Sequence, residues 1–455
     1  MPSLSTIGRF DSEALARATG GGVVRPGPAG PIAFDSRKVE AGDWFFALRG
    51  DRFDAHDFLA GLRRDVAGIL VSDLARVPAD WTAGIVRFDE GNAAVAGLGR
   101  AARARIHHPV VGLTGSAGKT TTRAMIALAL SPLGRVHQTT GNLNNHLGVP
   151  FTLLATPDDA AVSVVELGTS APGEIAFLAE IARPEVRVIV NVGAAHLLEL
   201  GGLAGVAAEK GALFTTARPG DVAAVNLDDP WIARQPIPAG VRIVTYGTAE
   251  AAQIRLLSAT LSPATLATDA VWSTPAGTLS CRIPAPGAHF AHNATAALAV
   301  AYALGVDLRI AADALAGYEP VGMRMRAEPL ANGAIALNDA YNANPTSMEA
   351  SLRVLADLGG RRAAVLGDML ELGADEAAFH EQVARLAHDL RLDLVVLVGP
   401  RMSAAAAACP GCWAAVDGES LADNLRHWLQ PGDRVLFKGS RGARVERILQ
   451  MARGD

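Results

Sequence analysis

Two spacings of apolar residues alternate along this chain. Short uninterrupted runs at 108–113, 162–167, 186–192 and 222–226 have the length of strands buried on both faces. Between them, 173–181 and 205–215 return apolar side chains every three or four positions, as a helix does. Strands alternating with helices predict a mainly parallel sheet covered on both sides. The rhythm recurs at 335–339, 363–367, 394–399 and 434–438, predicting a second doubly wound domain. Residues 254–283 break it with short alternating runs such as "AVWSTPAGTLSCRI", expected to form a small antiparallel annex, after which "PAPGAHFAHN" opens an alanine-rich helix. A later stretch, "SAAAAACPG", reads as a short helical alanine run. The residues up to 108 mix short strands and helices and end in the arginine-rich "GRAARARIHHP", where a joint is expected; a second is expected over 317–323. The fold class is thus α/β in three domains: a small N-terminal α/β domain (1–108), a central parallel-sheet domain (109–319) and a C-terminal Rossmann-like domain (320–455).

The central domain opens on "VGLTGSAGKTTTR", from Val111 to Arg123. An apolar strand, a run of small residues and a helical pattern follow in the order of a phosphate loop. The backbone N–H groups of Gly115, Ser116, Ala117 and Gly118 would cradle phosphate oxygens, Lys119 would reach the terminal phosphates, and the hydroxyls of Thr120 and Thr121 would follow, Thr120 facing Mg²⁺. The strict pattern needs glycine where Leu113 stands, so an ordinary glycine turn stays open as the other reading. In the C-terminal domain, "NDAYNANP", "LGDMLELG", "LVGP" and "FKGSRG" all follow predicted strands, where ligands bind in open α/β sheets.

Three further residues are read against plainer alternatives. Glu166 ends a strand, where its carboxylate can meet a nucleotide-bound Mg²⁺, an ion satisfied by few protein oxygens. His196 is either a structural histidine or a metal or catalytic residue. Lys210 sits on a partly apolar helix, where a snorkelling lysine is the ordinary reading. Half of the 455 residues are hydrophobic and the net charge is −5, so the chain has core-forming material and no global basic surface for nucleic acid or anionic lipid. No run of 18 apolar residues occurs and the start lacks a basic segment followed by an apolar one, so a cytoplasmic location without membrane insertion is expected. Of three cysteines, Cys409 and Cys412 form a "CPGC" read as reduced thiols in a turn rather than a redox or half-zinc site.

Nine segments, "TGSAGKTTTR", "GNLNNHLGVP", "ELGTSAPGEI", "AAHL", "KGALF", "PGAHFAHN", "GMRMR", "DAYNANPTSMEA" and "GDMLELG", together resemble the Mur ligase family of peptidoglycan synthesis, in family order over about residues 30–445. The family's phosphate loop has the form TGxxGKT, which accounts for Leu113. The resemblance implies an ATP-dependent amide ligase: a substrate carboxylate takes the γ-phosphoryl group, and an amine then displaces phosphate from the acyl phosphate. It implies two Mg²⁺ ions, one served by Thr120 and Glu166, the other by His196 and a carbamylated Lys210. Arg324 would reach the γ-phosphate, making Lys119, His196, Lys210 and Arg324 the catalytic set, with Asp339 near the ribose and His289 and Asn293 around the adenosine. Ser36 and Arg37 in "DSR", otherwise read as a helix cap with a surface arginine, would hold the UDP part of the substrate, and Asn142, Asn144 and Asn145 its sugar. Asn342, Asn344 and Lys438 would meet the acceptor. "YNANPTSM" with "GDMLELG", and the absence of a "DNPR" run, point to the branch that adds D-alanyl-D-alanine to UDP-N-acetylmuramoyl-tripeptide, acting as a monomer. An amino-acid-adding sister enzyme, a folylpolyglutamate-type ligase and a phosphate-loop ATPase that moves a partner are the alternatives. Departures from the family pattern stand at Ala55, His146, Ala212 and Phe290.

Overall fold

The computed structural model describes residues 6–50 and 53–453. They hold three sheets and gather into two compact units. The first unit comprises residues up to Gly112 with Leu133–Thr169 and Glu174–Glu185; the second comprises Leu113–Pro132, Ser170–Gly173 and the chain from Val186 onward.

In the first unit, strands β1 (Gly22–Arg25), β2 (Ile32–Ala33), β3 (Trp44–Phe46), β4 (Gly68–Val71) and β5 (Gly84–Arg87) form a sheet of order β1-β5-β4-β3-β2, antiparallel only at β1. Alternation along β3 sends Phe45 into a cluster with Leu59, Ile69 and Ile85, while Trp44 and Phe46 face the other way. Phe46 meets Phe34 and Phe88 there, and Phe34 meets Phe151. Only glycine fits beside Trp44 at position 68, where a Cβ would lie 2.3 Å from the indole. Strand β6 (Val110–Thr114) carries the chain across the boundary at Gly112; β7 (Arg135–Gln138) and β8 (Ala160–Glu166) pair in parallel within the first unit.

In the second unit, β9 (Val186–Ile189), β10 (Val222–Asn226), β11 (Arg242–Gly247) and the start of β12 (Ile254–Ser262) run parallel; β12 then turns back through β13 (Ala267–Thr274) and β14 (Gly277–Ile283) as an antiparallel meander. The expected annex is therefore an extension of the same sheet. The alanine-rich helix Ala288–Ala303 lies against it, its small side chains permitting close approach, and Trp272 Nε1–H donates to Thr295 Oγ1 at 2.8 Å. Strand β9 stops at Ile189, short of the predicted 192, because Val192 N–H turns to donate to the Asp229 carboxylate.

The third sheet has order β15-β16-β20-β17-β18-β19, built from β15 (Arg326–Pro329), β16 (Ile335–Asp339), β17 (Arg362–Gly367), β18 (Leu394–Val398), β19 (Trp413–Ala415) and β20 (Arg434–Lys438). It is parallel throughout except at β15. The predicted ligand-facing segments do follow β16, β17, β18 and β20. The alanine run is helical only in part: an α-helix ends at Ala404 and 405–408 tighten into a 3₁₀ turn ahead of Pro410, which restricts the residue before it. No helix among the described residues is long and apolar enough to cross a membrane.

Candidate active site

The phosphate loop is held open by its neighbours. Gly118 adopts φ +76°, a left-handed conformation that other residues resist, and a Cβ there would lie 3.1 Å from Asn293 Oδ1. The helix Lys119–Ala129 begins immediately after it with no side-chain cap, leaving its first-turn N–H groups directed out of the helix start. Asn191, just beyond β9, brackets the loop: its Oδ1 accepts from Ala117 N–H at 2.9 Å and its Nδ2 donates to Ala117 C=O at 3.0 Å. Ser116 Oγ donates to Gly193 C=O and accepts from Gly193 N–H. Lys119 Nζ donates to Gly115 C=O at 2.7 Å. Arg324 reaches this loop from a segment 204 residues away, its guanidinium donating to Thr120 Oγ1 at 3.2 Å while lying 3.7 Å from the ring centre of Tyr341. Stacking on an aromatic face fixes a planar cation without neutralising it.

Lys119, His196 and Lys210 lie close enough to act on one another electrostatically. Lys210 is buried; burial foremost, then the charge of Lys119, lowers its ammonium to about 7 against the opposing pull of Glu209. A lysine at that value presents a substantial fraction of neutral, nucleophilic amine at neutral pH. His196 is likewise pushed down by burial, with Lys119 and Lys210 adding to the effect and Glu371 opposing it; its Nδ1 lies 2.9 Å from the Glu371 carboxylate. Among the described residues no group of three or more His, Cys, Asp or Glu could enclose a metal ion.

Asp339 and Lys438, expected to serve different substrates, form one buried ion pair at 2.6 Å. Asp339 also accepts from Ser351 Oγ and Met325 N–H, and Lys438 donates to Asn342 C=O. Asn344 caps the helix Pro345–Asp357 in a reciprocal box with Ser347, and Asn342 is exposed beside it. His289 is half-buried and tilted against Phe290, its imidazole lowered to about 4 chiefly by burial, so it stays neutral at physiological pH. Asn293 is buried and packs on the phosphate loop itself.

The remaining expected residues belong to the first unit. Glu166 is buried at the end of β8, where its Oε1 accepts from Asn144 Nδ2 at 2.8 Å and its N–H donates to Thr139 Oγ1. Asn144 therefore orients the proposed metal-facing carboxylate as well as standing in the loop assigned to the sugar. Asn145 Oδ1 accepts from Gly148 N–H at the start of the helix Gly148–Leu154, and Asn142 is exposed. Ser36 is half-buried in a 3₁₀ turn capped by Asp35. The exposed Arg37 guanidinium grips Asp35 through two hydrogen bonds, holding that carboxyl at about 2. The plainer reading of "DSR", a cap with a surface arginine, is thus what the side chains do here.

Three residues that the sequence reading missed join this constellation: Asn191, Tyr341 and Glu371. Each stands in a segment that drew notice for a neighbour, in "VIVNVGAAH", "DAYNANP" and "LGDMLELG". The only signal was position after a strand.

Comparison with known proteins places this geometry. The Mur ligase middle domain matches residues 113–301, and the Mur ligase glutamate ligase domain matches 323–441. The chain is 36% identical over 422 residues to the UDP-N-acetylmuramoyl-tripeptide--D-alanyl-D-alanine ligase of Escherichia coli, covering 92% of each chain. It is 33% identical to the Bacillus subtilis protein of the same description, again covering 92% of each. Its fold matches a crystal structure of MurF from Acinetobacter baumannii with a TM-score of 0.90 at 33% identity, over 98% of this chain and 99% of that one. A MurF ligase from Thermotoga maritima in complex with ADP gives 0.83 at 29% identity, over 93% and 97%. The chain belongs to the Mur ligase family. It is a nucleotide-dependent ligase of the kind exemplified by these D-alanyl-D-alanine-adding relatives.

Proposed function

We propose that this enzyme joins D-alanyl-D-alanine to UDP-N-acetylmuramoyl-tripeptide, consuming ATP in peptidoglycan precursor synthesis, and that it works in the cytoplasm as a monomer. The tripeptide carboxylate attacks the γ-phosphorus and ADP departs, giving an acyl phosphate. The dipeptide amine then attacks the acyl carbon, a tetrahedral intermediate collapses with loss of phosphate, and the amine proton passes to solvent or a nearby base.

A carboxylate approaching a triphosphate meets strong repulsion, so the burden falls on positioned cations. The observation that carries the reading is the convergence of Lys119, Thr120 and Arg324 on one glycine-rich turn, with a buried, readily deprotonated Lys210 in the same electrostatic neighbourhood. Lys119 and the loop N–H groups hold the β- and γ-phosphates, and Arg324 stabilises charge on the transferred group. The neutral amine of Lys210 adds to CO₂ and releases one proton to solvent, giving a carbamate that supplies an anionic oxygen donor. Thr120, Glu166, His196 and Lys210 are the residues we assign to two Mg²⁺ ions, which would neutralise phosphate charge when bound. Ser36, Arg37, Asn142, Asn144 and Asn145 are assigned to the UDP-sugar substrate; His289, Asn293 and Asp339 to the adenosine; Asn342, Asn344 and Lys438 to the acceptor. We further propose domains at 1–108, 109–319 and 320–455, because each sheet's strands fall within one of these spans.

Incubation with UDP-N-acetylmuramoyl-tripeptide, ATP, Mg²⁺ and D-alanyl-D-alanine is expected to release phosphate only when all four are present. Phosphate release indifferent to the dipeptide would overturn the proposal.

A further inference from the structure

We infer that Tyr341 is a positioning residue for Arg324: its ring carries the guanidinium and its backbone holds the segment from which Arg324 projects, so that the charge meets the phosphate loop in one orientation. Tyr341 would act through Arg324, whose place at the transferred phosphoryl group is the reading proposed above, without touching substrate itself.

Arg324 stands in the connection that leads into β15. Strands β15 and β16 pair antiparallel with Arg326 opposite Asn338, so residues 323–325 and 339–341 continue beside each other past the paired ends. Two hydrogen bonds tie these runs together, one on either side of Arg324. Tyr341 N–H donates to Met323 C=O at 3.1 Å, and Met325 N–H donates to Asp339 Oδ1, also at 3.1 Å. Met325 holds a left-handed φ of +54°, a costly conformation for a residue with a side chain, which persists where its surroundings impose it. Here Met325 is buried and its N–H is bonded. The main chain at Arg324 is thus fixed from both sides, and the side chain is the freedom that remains.

An arginine has many rotamers to lose, and the hydrogen bonds that Arg324 makes are long ones to neutral acceptors: Nη1 to Val321 C=O at 3.3 Å and Nη2 to Thr120 Oγ1 at 3.2 Å. No carboxylate forms a salt bridge with it among the described residues. The Tyr341 ring, with its centre 3.7 Å from the guanidinium carbon, is therefore the contact that sets where the cation lies, and it leaves the charge uncancelled as a carboxylate would not. The Tyr341 hydroxyl has no hydrogen-bond partner among the described residues, so the aromatic face rather than the phenol is what Arg324 uses. A cation already in place stabilises developing charge more than one that must first be ordered.

Arginine labelled with ¹³C and ¹⁵N reports the contact in the nucleotide-free protein, because protons above an aromatic ring are shifted upfield; the Arg324 signals are identified by their loss in Arg324→Lys. The upfield shift is expected in the wild type and in Tyr341→Phe, and is expected to vanish in Tyr341→Leu. A Tyr341→Leu spectrum in which the Arg324 signals keep their place would overturn the inference. Should that variant not fold, Tyr341→Met is read in the same way. In phosphate release with all substrates present, Tyr341→Leu is expected to lose about 3–30-fold in kcat with little change in KM for ATP, the range that a cation over an aromatic face supplies, and Tyr341→Phe is expected to restore it. Added to Arg324→Ala, the leucine is expected to cost nothing further; the same loss with and without Arg324 would show a merely structural role and reject positioning. Wild-type turnover in Arg324→Ala would instead reject the role proposed for Arg324, and the ring-current shift would still decide whether Tyr341 holds its side chain.

Discussion

The phosphate loop and the Phe34–Lys38 segment, the two places we propose for anionic groups, hold their basic side chains in contrasting ways. Around the loop, the backbone is bracketed by Asn191 and Ser116, Arg324 sits over the ring of Tyr341, and Lys210 is buried deeply enough for its charge to become costly. In the Phe34–Lys38 segment, Arg37 is exposed and satisfied by Asp35 two residues away, an arrangement the chain makes from purely local geometry. The first arrangement is preorganised, so its groups need little rearrangement when charge moves. The second is a surface pair that a phosphate or pyrophosphate can compete for, since water screens it and its net worth is small. This difference is why we assign chemistry to the first setting and reversible binding to the second.

The largest expected effect lies at Lys210. Replacement by alanine should lower turnover roughly 10³-fold, the scale of losing one strong stabiliser of the transferred group, with partial recovery in high bicarbonate. Wild-type turnover in that variant would end the carbamate proposal. The same burial makes a separate statement about stability. The folded-state value, about 7, lies below that of the unfolded chain, so between these values the unfolded state binds more protons and stability rises with pH from about 7 toward the ordinary lysine range. Below 7 both states are protonated and the destabilisation is present in full. Lys210→Met should therefore melt higher than wild type at pH 7 in CO₂-free buffer, with the gap narrowing toward pH 10. A gap that does not change with pH would mean that the depressed value is not what the fold imposes.

Arg324→Ala should cost about 10²-fold in kcat with a smaller change in KM for ATP. Arg324→Lys should recover only part of it, because an ammonium cannot reproduce the planar stack on Tyr341. Full recovery by lysine would reduce the role of Arg324 to bare charge. A milder effect is expected at Asn191. Alanine there removes both bonds to Ala117 and should destabilise the protein by about 1–3 kcal/mol in urea titrations while loosening ADP binding measured by calorimetry. Unchanged ADP affinity would show that the loop keeps its shape unaided. The smallest effect is expected at Arg37: Arg37→Ala should raise KM for the UDP substrate several-fold and leave kcat and the melting temperature alone. A fall in melting temperature would contradict the contrast drawn between the two regions.

Much of this was legible along the chain because its causes are local. Runs of Val, Ile and Ala gave β10, β16 and β20 to the residue, and the glycine-rich turn before Lys119 announced a phosphate loop without any knowledge of what surrounds it. The missed residues share one property, which is that their partners are remote. Asn191 acts 74 residues from Ala117, and Glu371 meets His196 from a separate loop. Asn344 shows the converse, since its capping box with Ser347 spans three residues and was overlooked in favour of a ligand-binding role.

The order of strands and helices, the α/β class and the glycine-rich turn ahead of the helix at Lys119 were determined by the sequence alone, for they depend on side-chain periodicity and on backbone freedom at a few glycines. Whether Lys210 is a solvated surface cation or a buried amine near neutrality was decided only by the tertiary structure, and so was the pairing of His196 with Glu371. Desolvation and charge–charge coupling depend on what packs around a group, and those neighbours arrive from parts of the chain that no local pattern connects.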